Sequence, residues 1–129
     1  KSMVEQDYIM RLIKELVRAI LKVIFHTDID MPSVEMLKDS QRRCALEELL
    51  NLIDRGEINE AENRLSELLE DGGGQELELA LLFYSHLNEK SNDFLESHDF
   101  SREEIKSGLE DAMRAQGLGE MAEAFLSEL

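Results

Sequence analysis

The chain has 129 residues, 43% of them hydrophobic, and a formal net charge of −15, which is enough for one domain with a real core and too little for two well-buried ones. One proline, no tryptophan and a good supply of Leu, Glu, Ala, Met, Lys and Arg favour helix over sheet, so the expected fold is all-α. A surface this acidic repels phosphate backbones and carries no basic stripe or aromatic–Arg platform, so nucleic acid is excluded as a partner.

Charge is distributed unevenly. Residues 1–26 carry a net +2 and residues 27–129 a net −17, dividing one helical domain, 1–129, into an N-terminal amphipathic helix with its joint (1–32) and an acidic helical body (33–129). Lys1 and Ser2 precede Met3 and are expected to be cloning residues. The first helix is predicted over Tyr8–Phe25. At about 100° per residue, Ile9, Met10, Leu12, Ile13, Leu16, Val17, Ala19, Ile20, Leu21, Val23 and Ile24 cover an arc of roughly 200°. A surface helix needs an apolar stripe of little more than about 100°. Arg11, Lys14, Glu15, Arg18 and Lys22 fill the remaining sector. The wide arc leaves four candidate covers: the rest of the chain, a second copy, another protein, or a lipid surface. Charges interrupt this stretch every three or four residues, so it reads neither as a signal peptide nor as a membrane span.

Thr27 to Ser33 is a turn-rich joint through which Pro32 forbids a continuous helix. A second helix is expected from Val34 to Arg55, with Leu46, Leu49, Leu50 and Ile53 as its stripe and Gly56 in the C′ position. Asn59 followed by Glu62 has the form of a capped start for a third helix, whose inner face is Ala61, Leu65, Leu68 and Leu69. The run Gly72, Gly73, Gly74 lacks the order of a phosphate-binding loop and reads as a linker. A fourth helix, Gln75–Glu89, is apolar on most sides through Leu77, Ala80, Leu81, Leu82, Phe83, Tyr84 and Leu87, and is expected deep in the core. In Lys90–Phe100, Phe94, Leu95 and Phe100 pin a loop or short extra turn onto the body. Ser101 with Glu104 forms a capping box that opens a fifth helix bearing Ile105, Leu109, Ala112 and Met113. Gly117 and Gly119 break it, and Leu118, Met121, Ala122, Phe125, Leu126 and Leu129 describe a sixth. About six helices in antiparallel hairpins result, as in helical-hairpin arrays or an irregular bundle.

The residue types that carry chemistry are present without the spacing it requires. His26, His86 and His98 show no metal-ligand spacing, and Asp28-x-Asp30 meets Pro32 where a calcium loop needs its next oxygen ligand. No nucleophile elbow occurs, and the carboxylates lie on solvated helix faces rather than in a dry cleft. Cys44 is the lone cysteine. It cannot form an internal disulfide, fits a reducing, cytoplasmic setting, and reads as a small buried hydrophobe rather than a reactive thiolate, even beside Arg42 and Arg43. The expectation is a non-enzymatic chain with no catalytic residues, no metal and no cofactor.

Two resemblances follow from particular residues. Ala45, Leu49 and Leu52, then Gly56, Glu57, Ile58, Asn59, Glu60 and Ala61, then Leu65 and Leu68, resemble one tetratricopeptide-type hairpin over about 25 residues. The match is partial: Leu49 stands where the repeat has Gly, and no proline closes the unit. The opening Asp7-Tyr8-Ile9-Met10-Arg11-Leu12-Ile13-Lys14-Glu15-Leu16-Val17-Arg18-Ala19-Ile20, with the acidic helical body, resembles a family of small, uncharacterised bacterial proteins, which implies a bacterial cytoplasmic protein and transfers no site residues. The functional expectation is a helical protein-interaction module. Its interface is read as Ile9, Leu12, Ile13, Leu16, Val17, Ile20 and Ile24, and a homodimer formed through them would cover the second flank of the helix by a two-fold contact. The alternative from a different class is a membrane-surface role for the basic amphipathic first helix. Repulsion between the acidic body and anionic lipid opposes it.

Overall fold

A computed structural model describes the backbone of residues 3–26, 36–70 and 76–126 and the side chains of residues 6–26, 36–70 and 76–124. Within these residues the helices are α1 (Met3–Ile24), α2 (Ser40–Asp54), α3 (Ile58–Glu70), α4 (Glu76–Asn88), α5 (Asn92–Ser97), α6 (Arg102–Ala115) and α7 (Gly119–Leu126), with no strand among them. The fold is all-α, with one helix beyond the six expected, because Lys90–Phe100 contains α5. The joint at Thr27–Ser33 with Asp28 and Asp30, the helix start at Val34, the glycine run 72–74 and Leu129 lie outside the described residues, as do the side chains of Phe125 and Leu126.

α4 lies at the centre. Leu77, Leu79, Ala80, Leu81, Leu82, Phe83, Tyr84 and Leu87 are all buried, so every side of this helix needs a neighbour. α1, α2, α3 and α6 pack against it, and α7 closes on α6 and α1. One hydrophobic cluster links residues from α1 through α7. Each Leu or Ile taken into it is worth about 1.5–3 kcal/mol.

Local chemistry sets the helix ends. Asp39 caps α2 by accepting the Gln41 amide at 3.0 Å. Met36 to Asp39 are outside the α-helix, so α2 starts later than the apolar pattern suggests: a good N-cap in extended backbone ends the helix there. At its other end, Glu57 N–H donates to Leu52 O at 2.9 Å and Gly56 N–H to Ile53 O at 2.8 Å. This is the Schellman pattern, and the φ of +86° at Gly56 suits glycine. Only Glu57 then separates the turn from α3. Its carbonyl accepts the first helical bond, from Ala61 at 3.1 Å, so Asn59 lies inside the first turn rather than at the cap, and Glu62 is freed for another partner. The capping box at α6 forms as expected: Ser101 N–H donates to Glu104 Oε2 at 2.9 Å, and Glu104 N–H donates to Ser101 Oγ at 3.3 Å.

Two polar tethers fix α4 at its ends. Arg42 of α2 meets buried Glu76 at 2.6 Å. At the far end Arg102, only 2% exposed, donates to Asn88 O at 2.8 Å, Asn88 Oδ1 at 3.0 Å, Lys90 O at 2.8 Å and Asn92 Oδ1 at 3.2 Å. Asn88 in turn donates to Met10 O at 3.0 Å, which draws α1 into the same knot.

Candidate functional site

The seven α1 residues read from sequence as an interface fall mostly inside the chain's own core. Ile9, Leu12, Ile13, Leu16, Val17 and Ile20 are buried, whereas Ile24 is 38% exposed. The cover for the wide apolar arc is therefore α4, α6 and α7 of the same chain. Contact of those six residues with a second copy or with lipid requires α1 to leave its place. On its outer face Lys14 pairs with Glu89 of the acidic body at 3.7 Å. Among the described residues, the large apolar side chains that α1 exposes are Tyr8, Val23 and Ile24.

A different surface is open. α3 and α6 both pack on α4 but scarcely touch each other, and between them lies a cleft of about 380 Å³. Leu69, Asn63 and Ser66 of α3 line one wall above the buried Leu65, Ala115 of α6 lines the other above the buried Ala112, and Tyr84 of α4 lies in the floor. Tyr84 is 5% exposed and packs edge-on against Phe83, ring centroids 4.9 Å apart at 81°. Its hydroxyl donates to Glu62 Oε2 at 2.9 Å. Gly108 makes room for that hydroxyl, since a Cβ at this position would lie 2.3 Å from its oxygen.

The electrostatics of the cleft are one-sided. Burial pushes the Glu62 carboxyl above the ordinary range, the Tyr84 hydrogen bond offsets part of this, and the charge of Glu104 adds to it. Burial also drives the Tyr84 phenol up, reinforced by Glu62 and Asp111. Glu70 and Asp111 stand on the rim, and among the described residues no Lys, Arg or His lines the cleft. Asp111 has a partner in Arg114, one turn along the exposed face, at 3.6 Å. A phenol pushed away from neutral pH does not serve as a general acid or base there. What the cleft offers is a mixed trough in which Leu69 and Ala115 present apolar surface beside a neutral hydroxyl and the negative charge of Glu62, Glu70 and Asp111.

A second polar group joins α2, α4 and α5. Asp54 Oδ1 meets His86 Nε2 at 2.8 Å and Lys90 Nζ at 2.5 Å. Lys90 sits over the Phe94 ring at 5.1 Å, and the His98 ring lies so close to Gly56 that a Cβ there would be 2.1 Å from it. Two of the three histidines are thus fastened into this clasp. Among the described residues no group of three or more His, Cys, Asp or Glu is placed to hold a metal ion. Cys44, read from sequence as buried, is exposed on α2, because the stripe of that helix settles on Leu46, Leu49, Leu52 and Ile53.

Sequence reasoning missed Glu62 and Tyr84 as a pair, reading one as a cap partner and the other as core. The usable signal was Glu62 itself: an acidic residue directly after buried Ala61 and one turn before Leu65 borders the apolar stripe of α3.

The chain belongs to a family described as of unknown function, DUF6483, which matches residues 3–117. No curated protein and no solved structure matches it. Among the described residues no helix is long and apolar enough to cross a membrane.

Proposed function

We propose that this chain is a non-enzymatic protein-interaction module whose docking surface is the cleft between α3 and α6. One observation carries this reading: α4 is apolar on all sides, yet among the described residues no helix covers its flank between α3 and α6, where its own Tyr84 forms the floor of the cleft. Helices pack about 8–10 Å apart around a centre, leaving room for roughly six equal neighbours; α4 has four long ones, and the cleft is the berth of another. Helix-in-groove recognition uses such troughs.

The α2–α3 hairpin supports a tetratricopeptide-like build, with Gly56 in the turn and fully buried Ala61 where the two helices approach. A cytoplasmic setting accords with an exposed, unpaired Cys44, since a reducing compartment keeps such a thiol free.

The test is an NMR titration of the ¹⁵N-labelled chain with helical amphipathic peptides of differing charge. Amide shifts gathered on Leu69, Ala112 and Ala115 support docking in the cleft. Shifts confined to other surfaces, or none with any peptide at millimolar concentration, refute it.

A further inference from the structure

We propose that the occupant of the α3–α6 cleft is a cationic amphipathic helix that lays its apolar stripe between Leu69 and Ala115 and sets a Lys or Arg head over Glu62. This rests on the docking reading above and adds the chemistry of the partner.

Three features of the cleft converge on that occupant. The first is shape. Its α3 wall runs from Glu62 to Glu70 and its α6 wall from Gly108 to Ala115, each about 12 Å long at 1.5 Å per residue. That is two turns of a partner helix, and the small residues Gly108, Ala112 and Ala115 allow a backbone to approach closely. The second is charge. Glu62, Glu70 and Asp111 border the trough, with no basic side chain in its lining among the described residues, and Glu104 adds its field at Glu62. An acidic partner, or a phosphorylated one, meets repulsion along the α3 wall, whereas a basic one is drawn in. The third is the state of Glu62, a partly buried carboxylate that takes a hydrogen bond from neutral Tyr84 at 2.9 Å. A carboxylate has about four acceptor sites, and burying one without a cation is costly. A Lys or Arg head completes the group in the way that Lys90 and His86 complete Asp54.

The test uses three synthetic tyrosine-free peptides of about 15 residues, a length at which an isolated helix becomes marginally stable. All three share a Leu stripe at i, i+3, i+4 and i+7, and the other positions carry Lys, Gln or Glu. Calorimetry against the intact chain is expected to rank Lys over Gln by about tenfold or more, with no binding of the Glu peptide, and to show the Lys affinity falling as salt rises. Glu62→Gln keeps an acceptor for Tyr84 and is expected to lower affinity for the Lys peptide about tenfold while leaving the Gln peptide unchanged. Ala115→Trp, at an exposed site on the cleft wall, is expected to abolish binding of both with the melting temperature intact. Equal affinities for the Lys and Gln peptides, both lost in Ala115→Trp, overturn the cationic assignment and leave the docking reading standing. Binding that survives Ala115→Trp overturns both.

Discussion

Arg102 and Glu62 are both charged groups drawn toward the interior, and the molecule treats them in opposite ways. The guanidinium of Arg102, a buried residue only 2% exposed, meets four acceptors, three of them backbone or side-chain oxygens of Asn88 and Lys90. Burial lowers its pKa, and the charges of Asp7 and Glu89 partly restore it. Glu62 lies on a cleft wall, is hydrogen-bonded by a neutral phenol, and feels further negative charge from Glu104. A buried charge with all of its partners inside the fold acts as a clasp. One that is under-compensated beside an open trough is where a second molecule has something to gain.

The sharpest way to break this comparison is to strip the interior that both regions share. Leu16→Asp or Ile20→Asp places an unpaired carboxylate at a fully buried site of α1 and is expected to cost more than about 4 kcal/mol, enough to abolish the cooperative melt. A dimer dissociating into folded, cooperatively melting monomers would instead restore α1 as an interface. Next in size is Arg102→Met, which leaves the oxygens of Asn88, Lys90 and Asn92 without their donor. We expect a loss of roughly 3 kcal/mol, or a melting temperature about 10 °C lower. Gly108→Ala drives a methyl into the Tyr84 hydroxyl at 2.3 Å, with an expected cost of about 1–3 kcal/mol. Amide shifts on α3 should follow it as Tyr84 loses its seat.

The smallest effect separates the two carboxylates by pH. Glu62 has a raised pKa, so the folded state holds its proton more tightly than the unfolded chain does. Its contribution is fully present below the ordinary glutamate range and is lost as pH rises through the folded value. Glu62→Gln should therefore melt slightly higher than the parent at neutral pH, with the difference vanishing in acid. Asp54 behaves oppositely. Burial raises its pKa, but the hydrogen bonds and charges of Lys90 and His86 prevail and lower it. Its contribution is present above the ordinary aspartate range and lost as pH falls through the folded value. Asp54→Asn should melt slightly lower at neutral pH and converge with the parent in acid. Melting curves across the acid range that moved together for the two variants would contradict these assignments.

Where interactions are local, the chain is legible. The Gly56 C′ position, the Ser101–Glu104 capping box and the all-round apolar character of α4 are set by residues within a turn or two, and they form as read. Asn59 and Glu62 show the limit. Their spacing is that of a cap, but the Schellman turn at Gly56 starts α3 two residues earlier, and Tyr84, 22 positions on, takes the carboxylate. The stripe that buries Leu46, Leu49, Leu52 and Ile53 leaves Cys44 outside, a matter of helix rotation that composition does not reveal. The wide arc of α1 was readable as surface in need of a cover. That α4, α6 and α7 supply it, and that α3 and α6 stand apart, depends on contacts between distant segments.

The role of Glu62 in the open cleft is decided by the affinity of the Lys-faced peptide for the intact chain and for Glu62→Gln. A docked Lys head over Glu62 gives about a tenfold loss in the variant, with amide shifts on Leu69, Ala112 and Ala115 in the parent complex. Undiminished affinity in Glu62→Gln, with shifts away from those residues, would contradict it.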